Sequence, residues 1–239
     1  VLSNTFRQYE KFTCSRFDGV VAATPRIADK FSEINTTVVN INNYPKLEEF
    51  KFTEDWSNKS AEATFLGGIA EIRGIKQIVR AIGSTHGIRL NLAGKFSEAS
   101  VEREVKTYSG WCQVNELGYL NRVQVNDLLA RSMIGLVTLL PISNYLEALP
   151  VKMFEYMAAG IPVIASNFPL WREIIEASQS GICVDPLDSE AIAEAIEFLI
   201  NNPGEAQEMG RNGRLVVEQK YNWANEETKL LQLYDRLLN

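Results

Sequence analysis

From Ala61 onward, short apolar runs alternate with longer stretches in which apolar residues recur every third or fourth position. The short runs, residues 63–66, 88–93, 111–114, 134–140, 163–165 and 182–184, predict buried strands. The longer stretches, at 74–82, 99–108, 124–131, 171–177 and 189–201, predict amphipathic helices, and two more helices close the chain at 205–219 and 223–238. Strands alternating with helices predict right-handed βαβ units. The fold class is therefore α/β, a doubly wound parallel sheet with helices on both faces. Before Ala61 the pattern is sparser. A helix is expected over 1–17, a strand over 20–23, a helix capped by Thr24 and opened by Pro25, and a strand over 37–41. These strands are too few to cover their own apolar faces. Residues 46–60 are polar and aperiodic and read as a linker.

One stretch organises the rest. Residues 149–166 read LPVKMFEYMAAGIPVIAS. Pro150 suits the first turn of a helix. Val151, Met153, Phe154, Met157 and Ala158 then share one face, and Lys152 and Glu155 share the other. Gly160 can end the helix in the left-handed conformation, Pro162 forbids its continuation, and 163–165 is a short strand.

Composition narrows the class. The chain has 239 residues, 46% hydrophobic and 23% charged, which is ordinary for one large or two modest domains. A formal charge of −6 argues against nucleic acid or an anionic membrane as a general partner. Cys14, Cys112 and Cys183 lack metal-like spacing and are expected as small buried thiols in a reducing compartment. No apolar run approaches the roughly 20 residues needed to cross a bilayer. The chain opens at Val1 without Met, which predicts a fragment or a processed form.

Candidate chemistry lies where loops follow strands. Gly67-Gly68 ends the first long strand, so backbone can approach a ligand closely, and the next helix points its N–H groups there, as a phosphate site requires. A carboxylate such as Glu155, early in a helix at that edge, can accept hydrogen bonds from two adjacent hydroxyls. Taken alone, Glu155 equally serves the helix dipole or pairs with Lys152. His86 sits in a turn at the opposite edge. The sequence carries no Ser/His/Asp set, no metal-ligand cluster and no Asp-x-Asp motif, so neither metal nor cofactor is expected.

The run from Pro150 to Ser166 resembles the nucleotide-sugar-binding motif of retaining glycosyltransferases of the GT-B fold, in the family-4 group. That motif runs Pro-x-Lys-x-Phe-Glu-Tyr-Met-Ala-Ala-Gly-x-Pro-Val-Ile-Ala-Ser. The resemblance covers roughly residues 60 to 239. It implies a Rossmann-like donor domain over 61–219, a linker at 46–60, and a remnant of the acceptor-binding domain at 1–45, where Thr24-Pro25 and Asn43-Tyr44-Pro45 match the family's pattern. It also implies a helix at 220–239 that crosses back to the first domain. The implied reaction transfers a sugar from a nucleoside diphosphate, UDP foremost, to a glycan or lipid-linked acceptor with retention. No metal is implied; basic side chains and helix dipoles would balance the leaving diphosphate.

The same resemblance implies site residues. Glu155 matches the ribose ligand. Arg73-Gly74 matches a Lys/Arg-Gly step that supplies a diphosphate cation; otherwise Arg73 is a cation beside Glu71. Many members carry Arg where Gly68 stands here, and Lys152 or Lys95 could supply the absent charge. Asn121, Arg122 and Val123, in the loop 117–123, would read the base, and Asn144 and Tyr145 would line the sugar. Glu147 reproduces the family's Glu-x₇-Glu spacing, but Ala148-Leu149-Pro150 shortens the usual spacer. Glu147 is thus either a donor contact or a solvated loop residue. The chain is expected to be cytoplasmic, with polysaccharide biosynthesis as the setting and any peripheral membrane contact made through the missing domain. Alone it is expected to bind nucleotide without turning over. Two other readings stay open: a sugar-nucleotide epimerase of the same fold, and a non-catalytic nucleotide-binding module.

Overall fold

A computed structural model describes residues 2–238. The chain divides into two compact units, residues 1–46 with 222–239, and residues 47–221.

In the first unit a helix, Leu2–Cys14, precedes strand β1, Val20–Ala22. Thr24 then caps the helix Pro25–Ser32, its hydroxyl accepting from Ile27 N, with Pro25 in the first turn. Strand β2, Val38–Asn40, pairs parallel with β1. The closing helix, Trp223–Leu238, belongs to this unit. Its Glu226 is 1% exposed, accepting from Asn42 N at 2.8 Å and paired with Lys229 at 2.7 Å. The buried charge is thus held by a backbone donor and a cation together.

The second unit is one parallel sheet of six strands. They are β3 (Ser60–Leu66), β4 (Arg89–Ala93), β5 (Val114–Gly118), β6 (Ser132–Val137), β7 (Val163–Ser166) and β8 (Gly181–Val184), in the order β5-β4-β3-β6-β7-β8. Every residue of β6 is buried, as its unbroken apolar run requires. Ile134 and Leu136 face a core built with the helices Ile75–Ser84 and Ser189–Asn201. Gly135, between them, faces the other side. There the ring of Tyr156 fills the space a side chain would take: a Cβ on Gly135 would stand 2.2 Å from Tyr156 Cγ. Tyr156 belongs to the helix Val151–Ala158, and its hydroxyl accepts from Leu66 N in β3 at 2.9 Å.

The strands move in detail from the expected positions. Of the run 111–114, residues 111–113 belong to a 3-10 turn, Ser109–Gln113, and Val114 opens β5. The helix expected from Gln124 begins at Arg122, because Asn121 and Gln124 form a capping box. Residues 47–60, expected as a linker, fold with the second unit. Phe50 is 4% exposed, Trp56 packs on the core, and buried Asn126 donates to Glu49 O and accepts from Lys51 N. The cysteines are all free; Cys112 is exposed, contrary to expectation, because its 3-10 turn lies at the surface, with Sγ donating to Ser109 O.

Gly135→Ala is expected to cost about 3 kcal/mol by overpacking against Tyr156. Urea unfolding measures it, and combining the change with Tyr156→Ala should cost less than the sum of the two single substitutions. Strict additivity would show that the ring and the glycine are not complementary.

Candidate functional site

The strand order reverses between β3 and β6, and open sheets of this kind bind ligands outside such a switch point. Beside it the ends of β3 and β4 approach closely. Gly67 N donates to Ala93 O at 2.9 Å, and Gly94 N to Gly118 O at 2.7 Å. Gly67 has φ +105°, and a Cβ on Gly94 would stand 1.8 Å from Gly67 O. Only glycines allow this turn. The helices Ile75–Ser84 and Val151–Ala158 begin at the same edge.

Two cations converge on the turn. Arg73 Nη1 donates to Gly68 O at 3.3 Å. A Cβ on Gly67 would lie 3.4 Å from that nitrogen and 3.3 Å from Lys152 Nζ. Glu71, the alternative partner of Arg73, pairs instead with Lys76 at 3.0 Å. Lys152 departs from its expected place on the polar face with Glu155. Its Nζ lies 4.2 Å from the centre of the Phe65 ring, buried and without a hydrogen-bond partner among the described residues. A first-turn side chain leans back over the preceding turn, and the missing side chain of Gly67 leaves it room. Burial, then the charge of Arg73, lower the amine from 10.5 to about 7, against the pull of Glu155.

Glu155 pairs with Arg122 rather than with Lys152. Arg122 Nη1 donates to Glu155 Oε1 at 2.8 Å, and Arg122 Nη2 lies 2.9 Å from Glu49 Oε2. The guanidinium lies 5.2 Å from the centre of the Phe50 ring. Arg122 is set here by the start of its helix, where Asn121 Oδ1 accepts from Gln124 N at 3.0 Å. The side chain of Asn121 is thus engaged in capping, while Val123 and Tyr119 are exposed. Lys95, one residue past Gly94, is also exposed, and its carbonyl accepts from Ile69 N.

Glu147 is exposed at the end of the short helix Ser143–Leu146, which carries exposed Asn144 and half-buried Tyr145. The loop after it is anchored by buried Trp171, whose Nε1 donates to Ala148 O at 2.6 Å. The structure thus brings together Gly67, Gly68, Arg73, Lys152, Glu155 and Arg122. Glu49 and Phe50 were missed by the sequence reading. The signal was present in the aromatics Phe50, Phe52 and Trp56, three within seven residues of an otherwise polar stretch. Among the described residues no three His, Cys, Asp or Glu side chains cluster as metal ligands. Among them, too, no helix is long and apolar enough to cross a membrane.

Residues 47–216 match the family model described as glycosyl transferases group 1. An uncharacterised glycosyltransferase of Methanocaldococcus jannaschii is 26% identical over 174 residues, covering 71% of this chain and 43% of the relative. Glycogen synthase of Mycobacterium tuberculosis is 25% identical over 179 residues, 73% of this chain and 42% of the relative. The chain therefore spans less than half the length of these relatives. Among solved structures, sucrose-phosphate synthase of Thermosynechococcus elongatus superposes with a TM-score of 0.77 at 23% identity, over 98% of this chain and 62% of that one. HepE of Anabaena, in complex with UDP and glucose, superposes with a TM-score of 0.78 at 16% identity, over 96% of this chain and 66% of that one.

The buried amine makes stability depend on pH. Lys152 titrates at about 7 when folded and near 10.5 when unfolded. Between those values the unfolded chain binds more protons, so stability rises with pH. The penalty of burying the charge is present in full below pH 7 and is relieved above it. Relative to Lys152→Met, the native chain should gain urea resistance from pH 7 to 9.5. A constant difference would show that the amine stays charged in place.

Proposed function

The chain belongs to the glycosyl transferases group 1 family, and from that membership we propose that its second unit holds a nucleoside diphosphate sugar, a UDP-sugar foremost, whose sugar passes to a glycan or lipid-linked acceptor with retention. The observation that carries this reading is the convergence of Lys152 Nζ and Arg73 Nη1 on the Gly67 turn at the switch point. A diphosphate is a compact dianion, and two cations held beside the start of the helix Val151–Ala158 match it. The HepE structure was solved with UDP, which supports a uridine nucleotide as the first donor to test.

The parts divide by chemistry. Arg73 and Lys152 neutralise the charge that grows on the leaving diphosphate, so no metal ion is required. Lys152 supplies the cation that Gly68 does not carry. Glu155 accepts from the ribose hydroxyls. Gly118, Tyr119 and Val123 present backbone and apolar surface to the base, a contact that side chains engaged elsewhere, those of Asn121 and Arg122, do not make directly. Glu147 stands in the loop leading into the helix of Glu155 and serves the transferred sugar. Lys95 contributes at long range to the positive potential of the edge. Retention, the acceptor class and a polysaccharide pathway belong to the same reading.

Calorimetric titration with UDP, GDP and ADP, with and without Mg²⁺, tests it. One diphosphate is expected to bind without metal, and Arg73→Ala and Glu155→Ala should each weaken it about tenfold or more, the loss of one charged hydrogen bond. Binding of none of the three would overturn the reading. At pH 8 the bound diphosphate should draw a proton onto Lys152. Titrations in buffers of different ionisation enthalpy should therefore show proton uptake, and Lys152→Met should abolish it.

A further inference from the structure

Arg122 stands on the sequence as a base contact, yet the structure engages it otherwise. Its guanidinium bridges two carboxylates, Glu155 Oε1 at 2.8 Å and Glu49 Oε2 at 2.9 Å. It lies against the buried ring of Phe50. Glu155 retains 17% side-chain exposure, and its Oε2 has no hydrogen-bond partner among the described residues.

The surroundings of the bridge are fixed from both ends. On one side the Asn121–Gln124 capping box sets the first turn in which Arg122 stands. On the other, Asn126, four residues further along the same helix, holds Glu49 through its carbonyl and Lys51 through its N–H. Phe50 is buried between these contacts. Segment and helix therefore form one rigid mount. A carboxylate whose first oxygen is held by a fixed guanidinium cannot rotate freely, and its second oxygen points in one direction before any ligand arrives.

We infer that Arg122 is a positioning residue: through its fork to Glu49 and Glu155 it fixes the Glu155 carboxylate so that Oε2 is presented to the vicinal hydroxyls of a ribose. The inference rests on the nucleotide reading above and adds the residue that makes Glu155 competent for it. Arg122 acts through Glu155 and touches neither base nor phosphate. Lysine does not reproduce this: an ammonium on a flexible stem can touch two carboxylates but lacks the planar fork that fixes their orientation.

The test compares Arg122→Lys with the native chain by calorimetry. Its probes are whichever of UDP, GDP and ADP binds most tightly and the 2′,3′-dideoxy form of that nucleotide. The substitution keeps the charge and removes the fork, so long-range attraction for the diphosphate is unchanged. Affinity for the ribonucleotide should fall about 3- to 10-fold, the cost of ordering one freed side chain at binding. Affinity for the dideoxy nucleotide should stay within about twofold, because it has no hydroxyls to present to Glu155. In a Glu155→Gln background, Arg122→Lys should have no further effect on either. Equal losses for both nucleotides would place Arg122 on the base or the phosphates and overturn the inference. Unchanged affinity for both would show that a point charge suffices and would overturn it too. Should the native chain bind none of the three nucleotides, the nucleotide reading itself fails and this inference falls with it.

Discussion

The helix Val151–Ala158 is locked to the sheet by one side chain, and the site follows from that lock. Tyr156 lies in the notch left by Gly135 and accepts from Leu66 N, the last residue of β3. This fixes both the rotation and the height of the helix. One turn earlier, the same rotation lays Lys152 over Phe65 and against Gly67. On the near side of Tyr156 it aims Glu155 at Arg122. Were the helix turned by a single residue, Lys152 would leave the Gly67 turn and Glu155 would take the direction of a buried neighbour, Phe154 or Tyr156. The buried hydroxyl accepts from a backbone N–H and the ring fills the glycine notch, so the orientation has little freedom.

That arrangement concentrates like charge where folding alone would avoid it. A buried amine without a partner, next to a guanidinium, lowers stability. The surrounding sheet offsets this with an apolar core on both faces and strand ends drawn together by glycines. Such a local violation of folding rules is the kind expected where a site is kept at the expense of stability. Glu155 lies beside it, its charge offset by Arg122, which it shares with Glu49.

Much of this was legible beforehand. The alternation of apolar runs and helical periods gave the parallel sheet, because buried strands and amphipathic helices differ in period. The stretch 149–166 gave a helix, a glycine turn and a strand, and the structure has all three. What was not legible depended on contacts distant in sequence. Periodicity assigned Lys152 to the polar face because it counts directions around a helix, not the empty space above a glycine in another strand. Arg122 looked free because Glu49 lies far from it in the chain. The capping box at Asn121 was readable, and reading it would have moved the helix start by two residues. Cys112 looked buried because its neighbours are apolar, but a 3-10 turn directs it outward.

Residues 47–60 have a bearing on how proteins of this kind exchange parts. Phe50 is buried in the second unit, Trp56 packs against its core, and Glu49 belongs to its carboxylate bridge. A chimaera joined at Ser60, where the sheet begins, would take those residues from one parent and the pocket from another. The seam would separate Glu49 from Arg122, its partner in the bridge to Glu155. Crossovers before Leu47 and after Tyr221 together keep each unit whole, so the first seam in this fold lies some residues earlier than the first strand of the sheet advertises.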